Sequence, residues 1–473
     1  MATPIPENRV AFSLAEIAEA TGGEVRAGHA QAVRGVTTDS RGDVVGKLFV
    51  ALQGESFDGH DFVARAVGAG ATAVLVSRDV PLDGDVAVIR VPSTLDALGH
   101  LARLHRRRWG GTLVAIGGSA GKTTTKTAVA SVLEALMPGQ VHAARGNLNN
   151  QIGVPMVLFG LEPAHKVAVV EIGTNQRGEV EKLAAVAEPD VALLTLIALE
   201  HAEGIGDLDA VEAEEGALLA ALGPAAAAIG NVDNARVRRQ LERSSAESKL
   251  GYGAAESADY RLLSREPHGS CGARLAIRRP GGGDTIEIGL CGLPGALAAL
   301  AALAVADRVL GEPVDAGRAA AAIAGEPGRL TPLTLGDGTV VLDDSYNANP
   351  ASVKSSVETA REIAEARGAR LVLVIGEMRE LGAASAGEHA ALGRELGVGV
   401  AAALVLVGGD AELALQPARA GGLDAVFAPD AESAIEPVLE RVRPGDVVLV
   451  KASRGVRAER IVDGLVQARG RAA

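Results

Sequence analysis

The segment Gly117-Gly118-Ser119-Ala120-Gly121-Lys122-Thr123-Thr124 brings together the residue types that hold a phosphate group. Glycines let the backbone turn tightly, so successive N–H groups can point at phosphate oxygens. A helix beginning at Lys122 adds the positive end of its dipole. Lys122 can reach the β and γ phosphates, and the Thr123 hydroxyl can ligate a bridging Mg²⁺. The full Walker spacing would put Gly where Ile116 stands, so this is the shorter GxxGKT form. The expected nucleotide contacts are Gly118, Ser119, Ala120, Gly121, Lys122, Thr123 and Thr124, with ATP and Mg²⁺ as the implied ligands.

Two further chemical groups follow in the next strand–helix units. The run VAVVEIG places Glu171 at the carboxyl end of an apolar strand, where ligands bind in open α/β sheets. A carboxylate there can ligate or orient Mg²⁺. One strand later, His201 stands just beyond VALLTLI, in Ala198-Leu199-Glu200-His201-Ala202-Glu203-Gly204. A histidine in a loop is ordinarily a surface residue; its position after a phosphate loop and a strand-end Glu points instead to the same site.

The elements that must carry these groups are legible as alternation. With 473 residues the chain has material for about three domains at roughly 150 residues each. Residues 1–108 show short apolar runs (LFVAL, TAVLVS, VAVIRV) between turns, then a helix from Ser93 into the basic run Arg106-Arg107-Arg108. That run is expected to be a solvated face or a linker. Residues 109–326 alternate apolar strands with helices, which implies a mostly parallel sheet covered on both faces. A turn-forming break at Gly325-Glu326-Pro327-Gly328 ends this region. Residues 327–473 restart the alternation with TVVLDDSY, RLVLVIGEM, AAALVLVGG and DVVLVKASRG, giving a second open α/β sheet. The fold class is therefore α/β in three domains: a small N-terminal α/β domain, a central mononucleotide-binding parallel sheet and a C-terminal Rossmann-like domain.

Composition narrows the partners. Acidic residues outnumber basic ones 59 to 46, a formal charge of −13, so the surface is a poor nucleic-acid binder. The two cysteines, Cys271 and Cys291, suggest neither a disulfide framework nor a thiolate zinc site. The opening MATPIPENRVAFSL lacks a basic segment followed by an apolar run, so no signal peptide is expected. The apolar stretch Leu293 to Leu310 contains Asp307 and Arg308 and reads as a buried helix rather than a membrane span. These features imply a cytoplasmic protein without membrane insertion.

Taken together, the motifs resemble the Mur ligase family over nearly the whole chain. Thr37-Thr38-Asp39-Ser40-Arg41, followed by KLFVALQGESFDGHDF, resembles its uridine-nucleotide domain, which implies substrate contacts at Thr38, Asp39, Ser40 and Arg41. GGSAGKTTTK resembles its ATP loop. Arg145-Gly146-Asn147-Leu148-Asn149-Asn150 with QIGVP, Asp343-Asp344-Ser345-Tyr346-Asn347-Ala348-Asn349-Pro350, and GEMRELG with His389 resemble the members that join D-alanyl-D-alanine to UDP-N-acetylmuramoyl-tripeptide. The resemblance implies ATP-driven amide formation through an acyl phosphate, in peptidoglycan synthesis, by a monomer. It assigns catalytic work to Lys122, Glu171, His201, Asn149 and Asn150. Arg329 and Asp344 would close over the nucleotide, with Tyr346 and Asn347 shaping that wall. Thr123, Glu171 and His201 would be metal ligands.

Two departures qualify that reading. The family's metal-bridging carbamylated lysine matches Glu215 here, or Glu214 if the alignment slips by one. The family's G-x-H-N-x-x-N nucleotide contacts fall on Gly295-Ala296-Leu297-Ala298-Ala299-Leu300-Ala301, so Leu297, Ala298 and Ala301 replace the polar groups. Lys451-Ala452-Ser453-Arg454 departs by one residue from the family's KGSR. These changes leave two alternatives: a related ligase for another acid or amine, and a nucleotide-binding relative without ligase activity.

Overall fold

Strands rich in Val, Ile and Leu on both faces require cover on both faces, and helices supply it. In the computed structural model of the chain, residues 6–28, 32–54, 57–82, 86–144, 146–269, 271–399 and 401–472 are described; Arg145 of the expected acceptor loop lies outside them. The architecture is α/β, with three main sheets of five, nine and six strands along the chain. The five-stranded sheet belongs to the N-terminal region, with Glu24–Ala27 antiparallel at one edge and the remaining pairings parallel.

The nine-stranded sheet carries the Gly-rich loop that precedes Lys122. Its strand Thr112–Gly117 lies between Val167–Glu171 and Val191–Leu194, all parallel, with Ile116 opposite Glu171 and Gly117 opposite Leu194. The carboxyl ends of three strands thus finish side by side, and the loops that leave them face one another. At its far edge the sheet turns antiparallel through Tyr260–His268, Gly272–Arg279 and Gly282–Ile288. In the six-stranded sheet only Thr331–Thr334 runs antiparallel, and Val340–Asp344, Val447–Lys451 and Leu371–Gly376 are adjacent parallel strands.

The helix Gly292–Leu310 is the one described helix long and apolar enough to span a membrane, and it is the central helix of the domain core. Ala296 and the run Ala298 to Ala306 are buried, and the small side chains let the phosphate-loop helix Lys122–Leu136 pack closely. Its one buried carboxylate, Asp307, is neutralised by Arg279 at 3.0 Å and accepts the Tyr260 hydroxyl at 2.9 Å. The sequence expectation of a buried helix holds.

Two expectations need correction. Cys271 and Cys291 are joined as a disulfide, with Cα atoms 4.5 Å apart. Antiparallel pairing of Ala273 with Ile288 brings the chain back beside its own turn, so residues 20 apart in sequence meet at the start of the long helix. The basic run is not a linker either. The helix Thr94–Trp109 continues through it, and Arg106 is buried against the central domain. Its guanidinium donates to the carbonyls of Ala187 (3.1 Å) and Glu188 (3.1 Å) and to Asp190 (2.7 Å). Arg107 and Arg108 stay largely exposed and pair with Glu188 and Glu16.

Arg106→Ala removes the donor from two turn carbonyls and one carboxylate. The expected cost is about 2–3 kcal/mol, a fall of roughly 4–12 °C in melting temperature. Arg107→Ala, losing an exposed pair, costs under about 1 kcal/mol. Calorimetric scans of both variants check the contrast, and equal shifts would refute it.

Candidate active site

The phosphate loop is braced from below by the strand that follows it in space. Gly118 and Gly121 adopt left-handed φ of 119° and 83°, and a Cβ at Gly118 would collide with Thr195. The Thr195 hydroxyl donates to the carbonyl of Ala120 at 2.6 Å, and Ser119 N–H donates to the carbonyl of Leu196 at 2.7 Å. Gly118 N–H donates to the Glu215 carboxylate at 2.7 Å. The amides of Gly118 and Ser119 are thus engaged within the protein. The donors left for phosphate are those from Ala120 into the first turn of the helix, where amides have no intrahelical acceptor.

Buried charge is concentrated directly beneath. The Lys122 ammonium lies 3.6 Å from Glu200 and 4.0 Å from Glu215, and also donates to the Gly118 carbonyl. Burial works against its charge, but Glu200, Glu215 and Glu171 outweigh that and hold it above the usual lysine value. Burial drives Glu200 well above the ordinary carboxylate range, with Lys122 opposing and Glu215 reinforcing the shift. Lys126, one turn along the helix, stands 3.9 Å from Glu171 and donates to the Gly146 carbonyl at 2.8 Å. Asn149 donates to the other oxygen of Glu171 at 2.8 Å.

Each of these acids keeps one buried oxygen without a hydrogen-bond partner: Glu171 Oε2, Glu200 Oε1 and Glu215 Oε1. Each of these oxygens faces a lysine ammonium at 3.6–4.0 Å, beyond hydrogen-bond length, and so keeps capacity for a closer cation or donor. Among the described residues no three His, Cys, Asp or Glu side chains form a ready metal cluster. That donor set suits Mg²⁺, which takes one or two carboxylates and completes its octahedron with water and substrate phosphates. Glu171, His201 and Glu215 are therefore not gathered as one set. His201, at a left-handed φ of 46°, places Nδ1 2.5 Å from Glu380 and Nε2 3.7 Å from Glu200.

The C-terminal domain supplies the facing wall. A cavity of about 610 Å³ runs from Ser119, Gly121 and Thr123 across to Arg329, Asp344, Asn347 and Lys451. Arg329 donates to the Thr123 hydroxyl at 3.0 Å, so the expected Mg²⁺ ligand is here engaged by a guanidinium. Arg329 also lies 4.0 Å over the Tyr346 ring, and Arg454 lies 4.7 Å from the same ring. Asn349 donates to the Ser119 carbonyl at 3.1 Å, a direct link between the domains. Asp344 is wholly engaged by protein. Its Oδ2 accepts from Lys451 (2.6 Å) and Ser356 (2.6 Å), and its Oδ1 accepts from Leu330 N–H (3.1 Å). It thereby holds Lys451 and, through Leu330, the chain beside Arg329.

At the other end of the cavity Leu293, Leu297, Ala298, Ile323 and Pro332 make an apolar wall. Two of the three altered positions line it; Ala301 is buried in the helix core and does not. Glu215, not Glu214, faces the loop: Glu214 accepts from the amides of Gly178 (2.6 Å) and Val180 (2.8 Å). The Asn150 side-chain oxygen accepts from the N–H groups of Ile152 (3.1 Å) and Gly153 (2.8 Å), where the helix Gly153–Phe159 begins. In the N-terminal domain Asp39 and Arg41 bind each other in a two-pronged pair at 2.9 and 2.8 Å beside the buried Ser40, with Thr38 half-buried next to them. Sequence reasoning passed over Glu200, Lys126 and Thr195, and gave Lys451 no role beyond its likeness to the family's KGSR. Only Lys126, four residues after Lys122 on the helix, carried a readable signal.

Comparison with known proteins gives a consistent picture. The Mur ligase middle domain matches residues 116–306, the Mur ligase glutamate ligase domain residues 328–454, and the Mur ligase family catalytic domain residues 32–106. The UDP-N-acetylmuramoyl-tripeptide–D-alanyl-D-alanine ligase of Escherichia coli is 36% identical over 81% of this chain and 83% of its own length. The crystal structure of MurF from Acinetobacter baumannii superposes with a TM-score of 0.87 at 27% identity, covering 97% of this chain and 100% of that one. MurF from Thermotoga maritima in complex with ADP gives a TM-score of 0.80 at 28% identity, covering 91% and 97% of the two chains.

Asp344→Ala strands the buried Lys451 charge and the Leu330 amide, at an expected cost of about 3–5 kcal/mol. Asp344→Asn combined with Lys451→Met recovers part of that loss, because the pair leaves together. Thermal unfolding of the three proteins measures it; a melting temperature within about 1 °C of the parent for Asp344→Ala would sink the assignment.

Proposed function

The chain belongs to the Mur ligase family, and on that premise we propose that it joins D-alanyl-D-alanine to UDP-N-acetylmuramoyl-tripeptide at the expense of ATP. The product is the UDP-muramyl-pentapeptide of peptidoglycan synthesis, with ADP and phosphate released. The observation that carries this reading is the cavity between the phosphate loop and the Arg329–Lys451 wall, with Lys122 held beside the loop by Glu200 and Glu215.

The tripeptide carboxylate is a poor electrophile, so it first attacks the γ-phosphate of ATP to form an acyl phosphate. The dipeptide amine then adds to the acyl carbon, and the tetrahedral intermediate expels phosphate. Such transfer depends chiefly on position and charge neutralisation. Lys122, fixed by Glu200, Glu215 and the Gly118 carbonyl, is pre-set to face the β and γ phosphates. Arg329 reaches the same loop from the opposite domain and neutralises charge there on closure. Asn149, held on Glu171, orients the reacting groups by hydrogen bonds without exchanging protons.

Thr123 with Glu215 and Glu200 would hold one Mg²⁺, and Glu171 with His201 a second. Bound there, the ions would screen phosphate charge during transfer. The uridine diphosphate is read in the N-terminal domain by Thr38, Ser40 and neighbouring amides, the Asp39–Arg41 pair fixing that turn. The apolar wall at Leu297 and Ala298 holds the nucleoside by contact rather than by side-chain hydrogen bonds. The enzyme acts in the cytoplasm as a monomer, with no nucleic acid and no membrane insertion.

Phosphate release from ATP should require UDP-N-acetylmuramoyl-tripeptide and D-alanyl-D-alanine together, and Mg²⁺. Release independent of the dipeptide would overturn the assignment of the acceptor. Lys122→Ala should lower turnover by about 10²–10³-fold, and by leaving Glu200 and Glu215 without their cation it should lower the melting temperature of a protein that still folds. Near-normal turnover in that folded variant would disprove the proposed phosphate site.

A further inference from the structure

The loop from Glu377 to Gly382 leaves the C-terminal sheet and crosses to the central domain, and nothing in the mechanism above uses it. Its shape is imposed by buried contacts. Met378 N–H donates to Nε2 of the buried His389 at 3.0 Å, and Arg379 N–H donates to the Ser453 hydroxyl at 2.9 Å. Arg379 itself pairs with Glu377 at 2.8 Å. The result is Glu380 at a left-handed φ of 65°, an unusual state for a residue with a Cβ and one that persists only where surroundings over-determine it.

Facing it is His201, also left-handed at φ 46°. The two meet at 2.5 Å between Glu380 Oε2 and His201 Nδ1. The backbones meet as well: Glu203 N–H donates to the Glu380 carbonyl at 3.3 Å, and Gly382 packs on Glu203. With Nδ1 committed to Glu380, the ring offers Nε2 toward Glu200, the acid that flanks Lys122. Carboxylates that hold the second nitrogen of a ligating histidine fix its tautomer and orientation.

We propose that Glu380 is a positioning residue for His201, so that the cation-binding side of the nucleotide site is complete only when the C-terminal domain has closed on the central one. This rests on the ligase reading for the identity of the cation. It adds a cross-domain dependence: the orientation of a central-domain ligand is set by a residue 179 positions later in the chain.

The test is Mn²⁺ binding to the full-length protein in the presence of ADP, followed by electron paramagnetic resonance, with no muramyl substrate or dipeptide present. Glu380→Gln and Glu380→Ala should weaken Mn²⁺ by about 10–100-fold with unchanged melting temperature. Glu380→Asp, which keeps the charge on a shorter arm, should fall between these and the parent. In a His201→Asn background, Glu380→Gln should have no further effect. Mn²⁺ affinity within about twofold of the parent in folded Glu380→Gln, or losses that multiply in the double variant, would overturn the proposal. Substrate-dependent phosphate release by the parent protein is scored separately, so a wrong substrate assignment and a wrong role for Glu380 give different results.

Discussion

The structure turns on a balance of buried charge at the carboxyl edge of three parallel strands. Glu171, Glu200 and Glu215 face Lys122 and Lys126 in a volume that water barely enters. No member of that set is tolerable alone, since an isolated buried ion shifts its protonation or unfolds its surroundings. Glu215 also binds the amide of Gly118, so the same carboxylate that balances the lysine shapes the phosphate loop. Electrostatics and backbone conformation are thereby coupled at one residue. A polyphosphate arriving at the loop would meet charges already in place rather than create a charged site from nothing.

The second domain enters through the same logic. Asp344 and Lys451 neutralise one another, and their pairing holds Leu330 and so the adjacent Arg329 toward the loop. Arg329 reaches Thr123, Asn349 reaches Ser119 and Glu380 reaches His201, which gives the two domains polar contacts at three separate points. Interfaces of this polar kind open and close more readily than apolar ones. Substrate entry needs that mobility, and chemistry needs the closed arrangement.

How much of this could be read from the chain depends on whether local spacing or tertiary packing sets each role. The phosphate loop, its helix and Glu171 at a strand end follow from local pattern, and the structure places them together. The α/β class follows from alternating apolar runs. Glu214 and Glu215 were indistinguishable because adjacent helix residues differ only by a rotation of about 100°, and only packing decides which one faces the loop. Asn150 sits in a motif with Asn149, yet its oxygen is taken by the next helix's own amides. Arg106 looked like its exposed neighbours because burial at the end of a helix depends on what lies across it. The cysteine pair was hidden by strand register, and Glu380 by a contact that spans two domains.

The cavity draws on residues from Ser119 to Lys451, most of the length of the chain. During synthesis at roughly 5–20 residues per second, the phosphate loop emerges on the order of tens of seconds before the wall that faces it. In that interval the central domain can fold around its own long helix while Leu293, Leu297 and Ala298 lack their C-terminal cover. A nascent or truncated chain therefore carries half a nucleotide site and an uncovered apolar strip. A cavity walled on both sides becomes a property of the finished polypeptide alone.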